Sequence, residues 1–391
     1  MLFALQSLIV YGIIIWAMTY FGKIAYKRQY PQGFGGIDKF KGKKSNILSI
    51  LTEPYILIPI LIFCLFAAVR YRVGVDCESY KAIYYEIAQY GESIRASNIE
   101  IGFKNLVKFT NTLTNSHYLF FFILAFLEIG LYYIALAKER HALIFLGLAI
   151  MITGHYWSLM NGMRQNIAAC AFVAMIPWLL NKKWHYFVAG TLLATTMHRS
   201  ALLLLPLGAF AFFCKKRIPN KYLQLGIIGI CFLLMNKFDN IFTIELMQFA
   251  GEAGYGEEEI EAYTALEATE YTFGFRMILQ YAVFCIAVFY SKKMCKFYNS
   301  KVFNTMYNLF FIGICLSLVF YNNFTIKRIL YYFSCFTPVI ISYYMFYLWK
   351  NKKNLILVIS IALLVVQTLW SIYSDISSKG INEPMLYKFD F

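Results

Sequence analysis

The sequence predicts an all-α polytopic membrane protein with about 12 transmembrane helices, within a range of about 11 to 13. Of its 391 residues, 60% are hydrophobic and only 15% are charged, a balance that soluble globular domains do not show. Apolar runs of about 15 to 22 residues recur along the whole chain, and each is long enough to cross the hydrocarbon core as a helix. No polar interval exceeds about 50 residues, so residues 1–391 are predicted to form a single transmembrane domain.

The first predicted span is the apolar run from Leu2 to Tyr20. No basic residue precedes it, and Lys23, Lys27 and Arg28 follow it, so we expect a retained helix instead of a cleaved signal peptide. The predicted spans lie near residues 2–20, 55–69, 118–137, 142–157, 166–180, 186–198, 200–213, 222–236, 274–290, 304–321, 329–348 and 354–373.

Basic residues follow every second span, which predicts the orientation of the helices. The connection at residues 21–54 is the richest of them. Because cytoplasmic connections of membrane proteins carry the excess of Lys and Arg, this side is predicted to face the cytoplasm. Both termini are then extracytoplasmic, as are the two long loops at 70–117 and 237–273. We expect short interfacial helices in these loops, since aromatic and apolar residues recur at helical spacing within residues 78–90.

A second local expectation concerns residues 185–213, which contain His198 and Arg199 in the middle of an apolar stretch. Within one long helix these side chains would lie near the bilayer centre at a high energetic cost. Two short helices that meet at a polar outer turn near His198 avoid this cost.

The outer helix ends carry basic residues, against the charge rule. They are Arg70, Arg72, Arg164, Arg199, Arg276, Lys327 and Arg328. Guanidinium groups stay charged and bind two oxygens of a phosphate at once, so converging arginines suit an anionic, lipid-linked pyrophosphate. The alternative is that each side chain pairs with a loop carboxylate, reaches lipid headgroups or caps a helix.

Three further residues are candidates for chemistry. Asp76 follows Arg70 and Arg72 in one loop, where it can act as a general base or orient a guanidinium, and Gly74 between them permits a turn with positive φ. His198 can act as a base because its ordinary pKa is near neutral, although a histidine at a helix end is more often structural. Glu128 lies within a span, which suggests a proton site in a transporter or, more simply, pairing with a polar group on a neighbouring helix.

Several function classes lack their sequence signatures. The chain has no GxxxxGK[ST] phosphate loop, no GxGxxG motif and no Asp-x-Asp pair. No zinc-ligand spacing occurs among its nine cysteines. The net charge of +15 is spread over the connections between spans, so it indicates topology and not binding of nucleic acid. We therefore expect no nucleotide, metal or other cofactor.

Four segments at predicted outer helix ends together resemble the EpsG and Wzy group of bacterial polysaccharide polymerases. They are RYRVGVDCESY (70–80) with EIGF (100–103), NGMRQNIAA (161–169), HRSALLLLPL (198–207) and KRILYYF (327–333). The likeness in order and spacing covers about residues 50 to 340, and Cys77 stands where such proteins often carry an aromatic residue. The resemblance implies a metal-independent membrane glycosyltransferase that joins repeat units carried on undecaprenyl pyrophosphate, at the outer face of the bacterial cytoplasmic membrane.

On this interpretation an acceptor sugar hydroxyl attacks the anomeric carbon of the donor glycan and expels undecaprenyl pyrophosphate. Arg164 and Arg328 are predicted to stabilise the leaving group, and Asp76 or His198 to deprotonate or orient the acceptor. The predicted substrate-binding residues are Arg70, Arg72, Tyr80, Arg199, Arg276 and Lys327. Partners implied are the lipid-linked oligosaccharide, membrane lipid, and a chain-length regulator and flippase of the same pathway.

Three other functions stay open at this point. A ligase would use the same donor to transfer a finished glycan to another acceptor. A membrane-bound acetyltransferase would need acyl-CoA from the cytoplasm. A flippase or other transporter of lipid-linked sugar would favour paired charges within spans, where only Glu128 qualifies. The glutamate-rich stretch at 251–270 is either a specificity loop or a solvated acidic loop.

Overall fold

The computed structural model describes residues 2–35, 50–93, 99–215, 220–235, 237, 274–377 and 385–390. Within these ranges the regular structure is helical, and the only extended pairing is an isolated antiparallel bridge between Arg70 and Phe389. The predicted all-α class is confirmed. The predicted loop at 237–273, including the stretch at 251–270, lies outside the described residues apart from Lys237.

Sixteen α-helices and one 3₁₀ helix occur in the described part of the chain. The first eight are α1 (Leu2–Gln29), α2 (Pro54–Ala68), α3 (Cys77–Tyr90), α4 (Ile101–Leu113), α5 (His117–Ala135), α6 (Leu143–Ile152), α7 (His155–Met160) and α8 (Met163–Leu180). They are followed by α9 (Trp184–Met197), the 3₁₀ helix (Arg199–Leu203), α10 (Leu204–Phe213), α11 (Lys221–Leu233), α12 (Phe275–Tyr298), α13 (Lys301–Val319), α14 (Phe324–Ser334), α15 (Thr337–Lys350) and α16 (Asn354–Ser377).

Seven of these helical segments are long and apolar enough to cross a membrane by themselves. Within the described residues they are Phe3–Gln29, His117–Ala135, Met163–Leu180, Phe275–Tyr298, Lys301–Val319, Ile326–Lys350 and Asn354–Ser374. Four shorter apolar helices accompany them, at Pro54–Ala68, Leu143–Ile152, Arg199–Phe213 and Lys221–Leu233. The chain is therefore a multi-pass membrane protein, and the number of about 12 spans stays a prediction.

Two helices extend beyond the boundaries that the sequence suggested. Helix α1 continues to Gln29, so Lys23, Lys27 and Arg28 lie on the helix and not in the loop that follows it. Helix α12 likewise continues to Tyr298. In both cases apolar residues alternate with the lysines, and long basic side chains can reach the membrane surface while their stems cover apolar neighbours.

Two predicted spans are interrupted by turns. The stretch at 142–157 divides at Thr153 and Gly154, where Gly154 adopts a left-handed φ of 79° between α6 and α7. The stretch at 329–348 contains a turn at Cys335 and Phe336 before α15, which begins with Thr337 and Pro338, but the backbone there keeps right-handed helical angles, so α14 and α15 together form the segment Ile326–Lys350. The predicted break at His198 is confirmed, because His198 is extended (φ −156°) and separates α9 from the 3₁₀ helix.

A bundle of apolar helices forms the main core. Helix α1 packs on α6 and α2, helix α5 packs on α8 and α2, and α15 packs on α6. Large aromatic side chains such as Tyr132, Tyr307 and Tyr344 are fully buried inside it. Their hydroxyl groups find partners there, since Tyr132 donates to the carbonyl of Cys335 (2.8 Å).

A smaller second core lies where the amphipathic helices α3 and α4 cover one end of α5 and α8. Tyr84 and Ile87 of α3, Phe103 of α4 and Phe120 of α5 are buried together. Fully burying each such side chain contributes roughly 2 kcal/mol or more. The apolar residues predicted within residues 78–90 therefore pack α3 against the bundle.

The connections gather at two opposite ends of the bundle. At one end Gln29 donates to the carbonyl of Lys138 (2.9 Å), and Arg140 pairs with Glu53. At the other end the Ser7 hydroxyl accepts from the backbone of Tyr387 (2.7 Å), so residues near both termini lie together. We call this second end the Asp76 end. Its position outside the cytoplasm follows from the charge rule and stays a prediction.

Glu128 has a different environment from the one expected. Its side chain is fully buried in α5, and neither carboxyl oxygen has a hydrogen-bond partner among the described residues. The expectation that it pairs with a polar group on a neighbouring helix is therefore wrong. The charge of Arg70 acts on it, and its own charge acts on the thiols of Cys64 and Cys170.

Candidate active site

The loop from Arg70 to Asp76 is folded against the start of the NGMRQ segment. Gly74 has a φ of 86°, and a Cβ atom there would lie only 2.5 Å from the carbonyl oxygen of Met160. The positive φ predicted for Gly74 is thus confirmed, and only glycine permits this approach. The backbone N–H of Asp76 then donates to the Asn161 side chain (2.9 Å). Two segments that are distant in sequence meet here.

Arg70 lies beneath this loop. Only 1% of the residue is exposed, and its guanidinium donates to the carbonyls of Ala67 and Val73 and lies 4.5 Å from the Phe121 ring centre. These contacts cap α2 and support the loop. Arg72 is near the surface with a φ of 55°, its guanidinium 5.0 Å from the ring of Tyr71.

Glu100 joins three functional candidates. Its Oε2 accepts from Nη1 of Arg164 (2.7 Å), and its Oε1 accepts from the backbone N–H of Arg199 (2.9 Å). Nδ1 of His198 lies 3.3 Å from the same Oε1, within ion-pair distance but not aligned for a hydrogen bond. Burial alone would raise the pKa of Glu100, yet His198, Arg164 and the N–H of Arg199 together lower it to about 2. Glu100 is therefore ionised at physiological pH.

Gly102 explains how Glu100 reaches the turn at His198. A Cβ atom at Gly102 would lie 2.3 Å from Oγ1 of Thr196 and 2.7 Å from its carbonyl oxygen. Helix α4 therefore packs with its backbone directly on α9. Because α4 begins one residue after Glu100, this contact places the carboxylate at the end of α9.

Asp76 is linked to the cluster through the charges of Arg328 and Arg164. Burial raises the pKa of its carboxyl group, although the charges of Arg328 and Arg164 act in the opposite direction. Tyr80, one turn along α3, accepts from the backbone N–H of Arg164 (3.4 Å). Gln165 donates to the carbonyl of Arg328, which ties α8 to α14. Asp76, Arg164 and Arg328 thus belong to one electrostatic unit.

The environment of His198 favours the neutral form of its imidazole. Burial lowers its pKa, and the charges of Arg164 and Arg328 add to this effect, while Glu100 opposes it. A neutral imidazole near pH 7 can accept a proton. Its neighbour Arg199 contributes a backbone N–H to Glu100, while its side chain is exposed.

The structure brings together six of the predicted site residues around Glu100. We call these six residues and Glu100 the Glu100 cluster. They are Asp76, Tyr80, Arg164, His198, Arg199 and Arg328. Arg70 is packed beneath the loop, and Lys327 lies 5.0 Å from the ring of Tyr321. Arg276 lines a separate cavity. The functional roles of all these residues remain proposals.

Glu100 is the residue that sequence reasoning missed, although the EIGF segment drew attention to it. A carboxylate followed two residues later by glycine was the available signal, but its partners lie 64 to 99 residues away. Chemically, the cluster combines guanidinium groups for an anion with a carboxylate whose pKa is raised. Among the described residues, no three His, Cys, Asp or Glu side chains are grouped as metal ligands would be.

Comparison with known protein families identifies the family of the chain. A family model described as the EpsG family matches residues 54–388, which include all of the Glu100 cluster. No curated protein and no solved structure matches the chain significantly.

Proposed function

Because the chain belongs to the EpsG family, the Wzy/EpsG type of polysaccharide polymerase, we propose that it transfers a glycan from undecaprenyl pyrophosphate to another lipid-linked repeat unit. The acceptor is a sugar hydroxyl of that second unit. The reaction takes place at the outer face of the bacterial cytoplasmic membrane. At this face no nucleotide sugar is available, so the donor must arrive already activated by its pyrophosphate.

One observation carries this proposal. Glu100 holds Arg164, the turn at His198 and the backbone of Arg199 in one place, next to Asp76 and Arg328. Asp76 and Glu100 directly precede α3 and α4, and the other groups come from α8, α14 and the turn after α9, so segments that are distant in sequence must pack together to assemble them. Charges assembled in this way stabilise developing charge without reorganising during the reaction.

The chemical step balances as a substitution at the anomeric carbon. Asp76 takes the proton from the acceptor hydroxyl, and the hydroxyl oxygen forms a bond to the anomeric carbon of the donor. The bond from that carbon to the pyrophosphate oxygen breaks, and its electron pair leaves with undecaprenyl pyrophosphate. Arg164 and Arg328 stabilise the negative charge on this leaving group. Arg72, which lies in the loop that carries Asp76, assists them.

Alanine substitutions at Arg164 and Arg328 test these roles in cells. We expect surface polysaccharide to collapse to single repeat units at a normal level of protein. Arg28→Ala is a matched control, because Arg28 lies at the opposite end of the bundle beside Tyr55. Unchanged long chains in the Arg164 and Arg328 variants would refute the proposed roles.

Purified protein separates polymerase from ligase and transporter. Incubation with radiolabelled, lipid-linked repeat units is expected to give longer lipid-linked chains and free undecaprenyl pyrophosphate. In this assay a transporter would leave the units unjoined, and so would a ligase, which transfers a finished glycan to another acceptor. Deletion of the gene separates these last two, since loss of a ligase leaves long lipid-linked chains unattached.

A further inference from the structure

A polar cavity lies at the Asp76 end, apart from the Glu100 cluster. Its volume is about 240 Å³, and its polar walls are formed by Trp157, Arg276, Gln280, Gln367, Thr368 and Ser371. Met385 closes it, and the carbonyl of this residue accepts from Tyr11 (2.8 Å). Helix α7 stands between the two sites, since Trp157 faces this cavity while the Asn161 side chain, just after α7, holds the Asp76 loop.

The cavity is unusual because its polar groups come from apolar helices. Gln280 belongs to α12, and Gln367, Thr368 and Ser371 belong to α16, both of which are apolar enough to cross the membrane. Polar and charged side chains at such positions are costly and commonly mark a substrate site.

Two residues that line the cavity each have a buried polar atom without a partner in the described structure. Gln367 is 5% exposed and its Oε1 accepts no hydrogen bond, and the buried Nε1 of Trp157 donates none. Other wall groups are satisfied internally, since Gln280 donates to the carbonyl of Thr153 (3.3 Å) and Thr368 donates to that of Leu364 (2.9 Å). One free acceptor and one free donor are matched by hydroxyl groups, which act in both ways. A buried polar atom without a partner is energetically costly, so a ligand that supplies hydroxyls is favoured.

The surroundings of the cavity indicate a ligand that is attached to a lipid. Phe275 of α12 and Trp370 of α16 are about half exposed and touch each other with ring centres 5.7 Å apart. Tyr373, one turn further along α16, is also exposed. An apolar chain can lie along these rings while its polar head enters the cavity. Arg276 lines the cavity beside these rings, and a guanidinium group is suited to binding a phosphate.

We propose that this cavity binds the sugar ring of a second lipid-linked saccharide, with the Arg276 guanidinium on its phosphate. The inference rests on the proposed function, because polymerisation joins two lipid-linked units and so requires two head-group sites. The Glu100 cluster is the first site, and the cavity between α12 and α16 is the second. The volume of about 240 Å³ is sufficient for one sugar ring, and the remaining sugars of the unit lie outside the cavity.

Counting bound lipids by native mass spectrometry tests this inference. The probe is undecaprenyl pyrophosphate that carries one N-acetylglucosamine, added to the full-length protein in detergent. We expect two copies per wild-type chain. Arg276→Gln is expected to weaken one of the two sites by at least about tenfold, as for a lost charged hydrogen bond. Arg28→Gln, a control at the opposite end, should keep both. Two copies with unchanged affinity in Arg276→Gln would overturn the proposal.

Gln367→Met tests the sugar contact with little change of volume, and size-exclusion chromatography reports whether the variant is folded. Wild type is expected to prefer the sugar-bearing probe over undecaprenyl pyrophosphate itself, and this preference should fall several-fold in Gln367→Met. Should phosphatidylglycerol displace the probe from this site with equal affinity, the cavity is an ordinary phospholipid site and the proposal is wrong.

Arg164→Gln separates this inference from the proposed function. If both hold, Arg164→Gln and Arg276→Gln each weaken one site, and the double variant weakens both. Loss of a site in Arg276→Gln alone would refute the role of the Glu100 cluster and leave the cavity standing. Loss of a site in Arg164→Gln alone would refute the cavity as the second site and leave the role of the Glu100 cluster standing.

Discussion

Two arginine–glutamate pairs lie at opposite ends of this protein, and they are built differently. Arg140 donates from both terminal nitrogens to Glu53 (2.7 and 2.9 Å), and also to Tyr55 and to the carbonyl of Ala137. Arg164 donates to Glu100 through Nη1 (2.7 Å), while its buried Nε has no hydrogen-bond partner. The first guanidinium is nearly saturated and the second retains donor capacity.

This difference separates a structural ion pair from a candidate binding group. Arg140 fastens the connection after α5 to the start of α2, and a saturated guanidinium has little capacity left for a ligand. Arg164 is fixed by a carboxylate that also holds His198 and Arg199, and it faces Asp76. Paired charges are therefore common to both ends of the protein, whereas an unused donor beside a second carboxylate sets the candidate site apart from the Arg140–Glu53 pair.

Asp76→Asn is expected to have the largest effect, because it removes the proposed base without removing the loop. General-base catalysis contributes about 100-fold or more, so the polymerisation rate should fall by that factor. A base acts when deprotonated, and burial raises the pKa of Asp76, so wild-type activity should rise with pH through a value above that of an ordinary aspartate. The pH profile of kcat/KM measures this, and Asn at this position should abolish the rise. If kcat/KM of the Asp76→Asn variant still rises with pH in the acidic range, a residue other than Asp76 is the base.

A comparison of the Glu100→Gln and Glu53→Gln variants tests which of the two carboxylates is needed for polymerisation. Removing Glu100 leaves Arg164 partly buried without its counter-charge and releases the turn at His198, at a cost of about 2 kcal/mol in stability. We expect activity per folded molecule to fall about 30-fold or more. Glu53→Gln should lower the thermal midpoint but keep that activity. Equal activities of the two variants would contradict the distinction.

Lysine substitutions sharpen the comparison of the guanidinium groups. Lysine keeps the charge of Arg164 but not the planar fork, so we expect polymerisation to fall about tenfold. Arg140→Lys should lose part of the two-pronged contact to Glu53, about 1 kcal/mol of stability, with little change in polymerisation. Rates in vesicles and thermal midpoints of both variants provide the measurement.

Gly102→Ala is expected to have the smallest effect of the four. The added methyl group meets Thr196 and should separate α4 from α9, at a cost of about 1 to 3 kcal/mol. Activity should fall several-fold as Glu100 withdraws from the turn. Gly130→Ala is the matched control, because a Cβ atom there meets nothing within 4 Å. Similar stability of both variants would show that the α4–α9 contact does not position Glu100.

The sequence was sufficient to predict the helical class, the break at His198 and the positive φ of Gly74, because each depends on local composition. It was not sufficient to place Arg70, whose burial depends on Ala67, Val73 and Phe121 meeting around it. Glu100 was missed for the same reason, since its partners are distant in sequence. The turn at Gly154 divides α6 from α7 inside an apolar run that hydropathy alone does not interrupt.

The pairing between residues 69–71 and 388–390 has a consequence for the order of folding. The backbone of Tyr71 donates to the carbonyl of Lys388 (2.8 Å), and that of Asp390 donates to the carbonyl of Val69 (3.0 Å). Asp390 also pairs with Lys81 and His117, and Tyr387 donates to the carbonyl of Phe66 across 321 residues of sequence. Contacts of such long range form slowly. We therefore expect the loop that carries Asp76 to reach its final position late in folding, after the helical bundle has assembled.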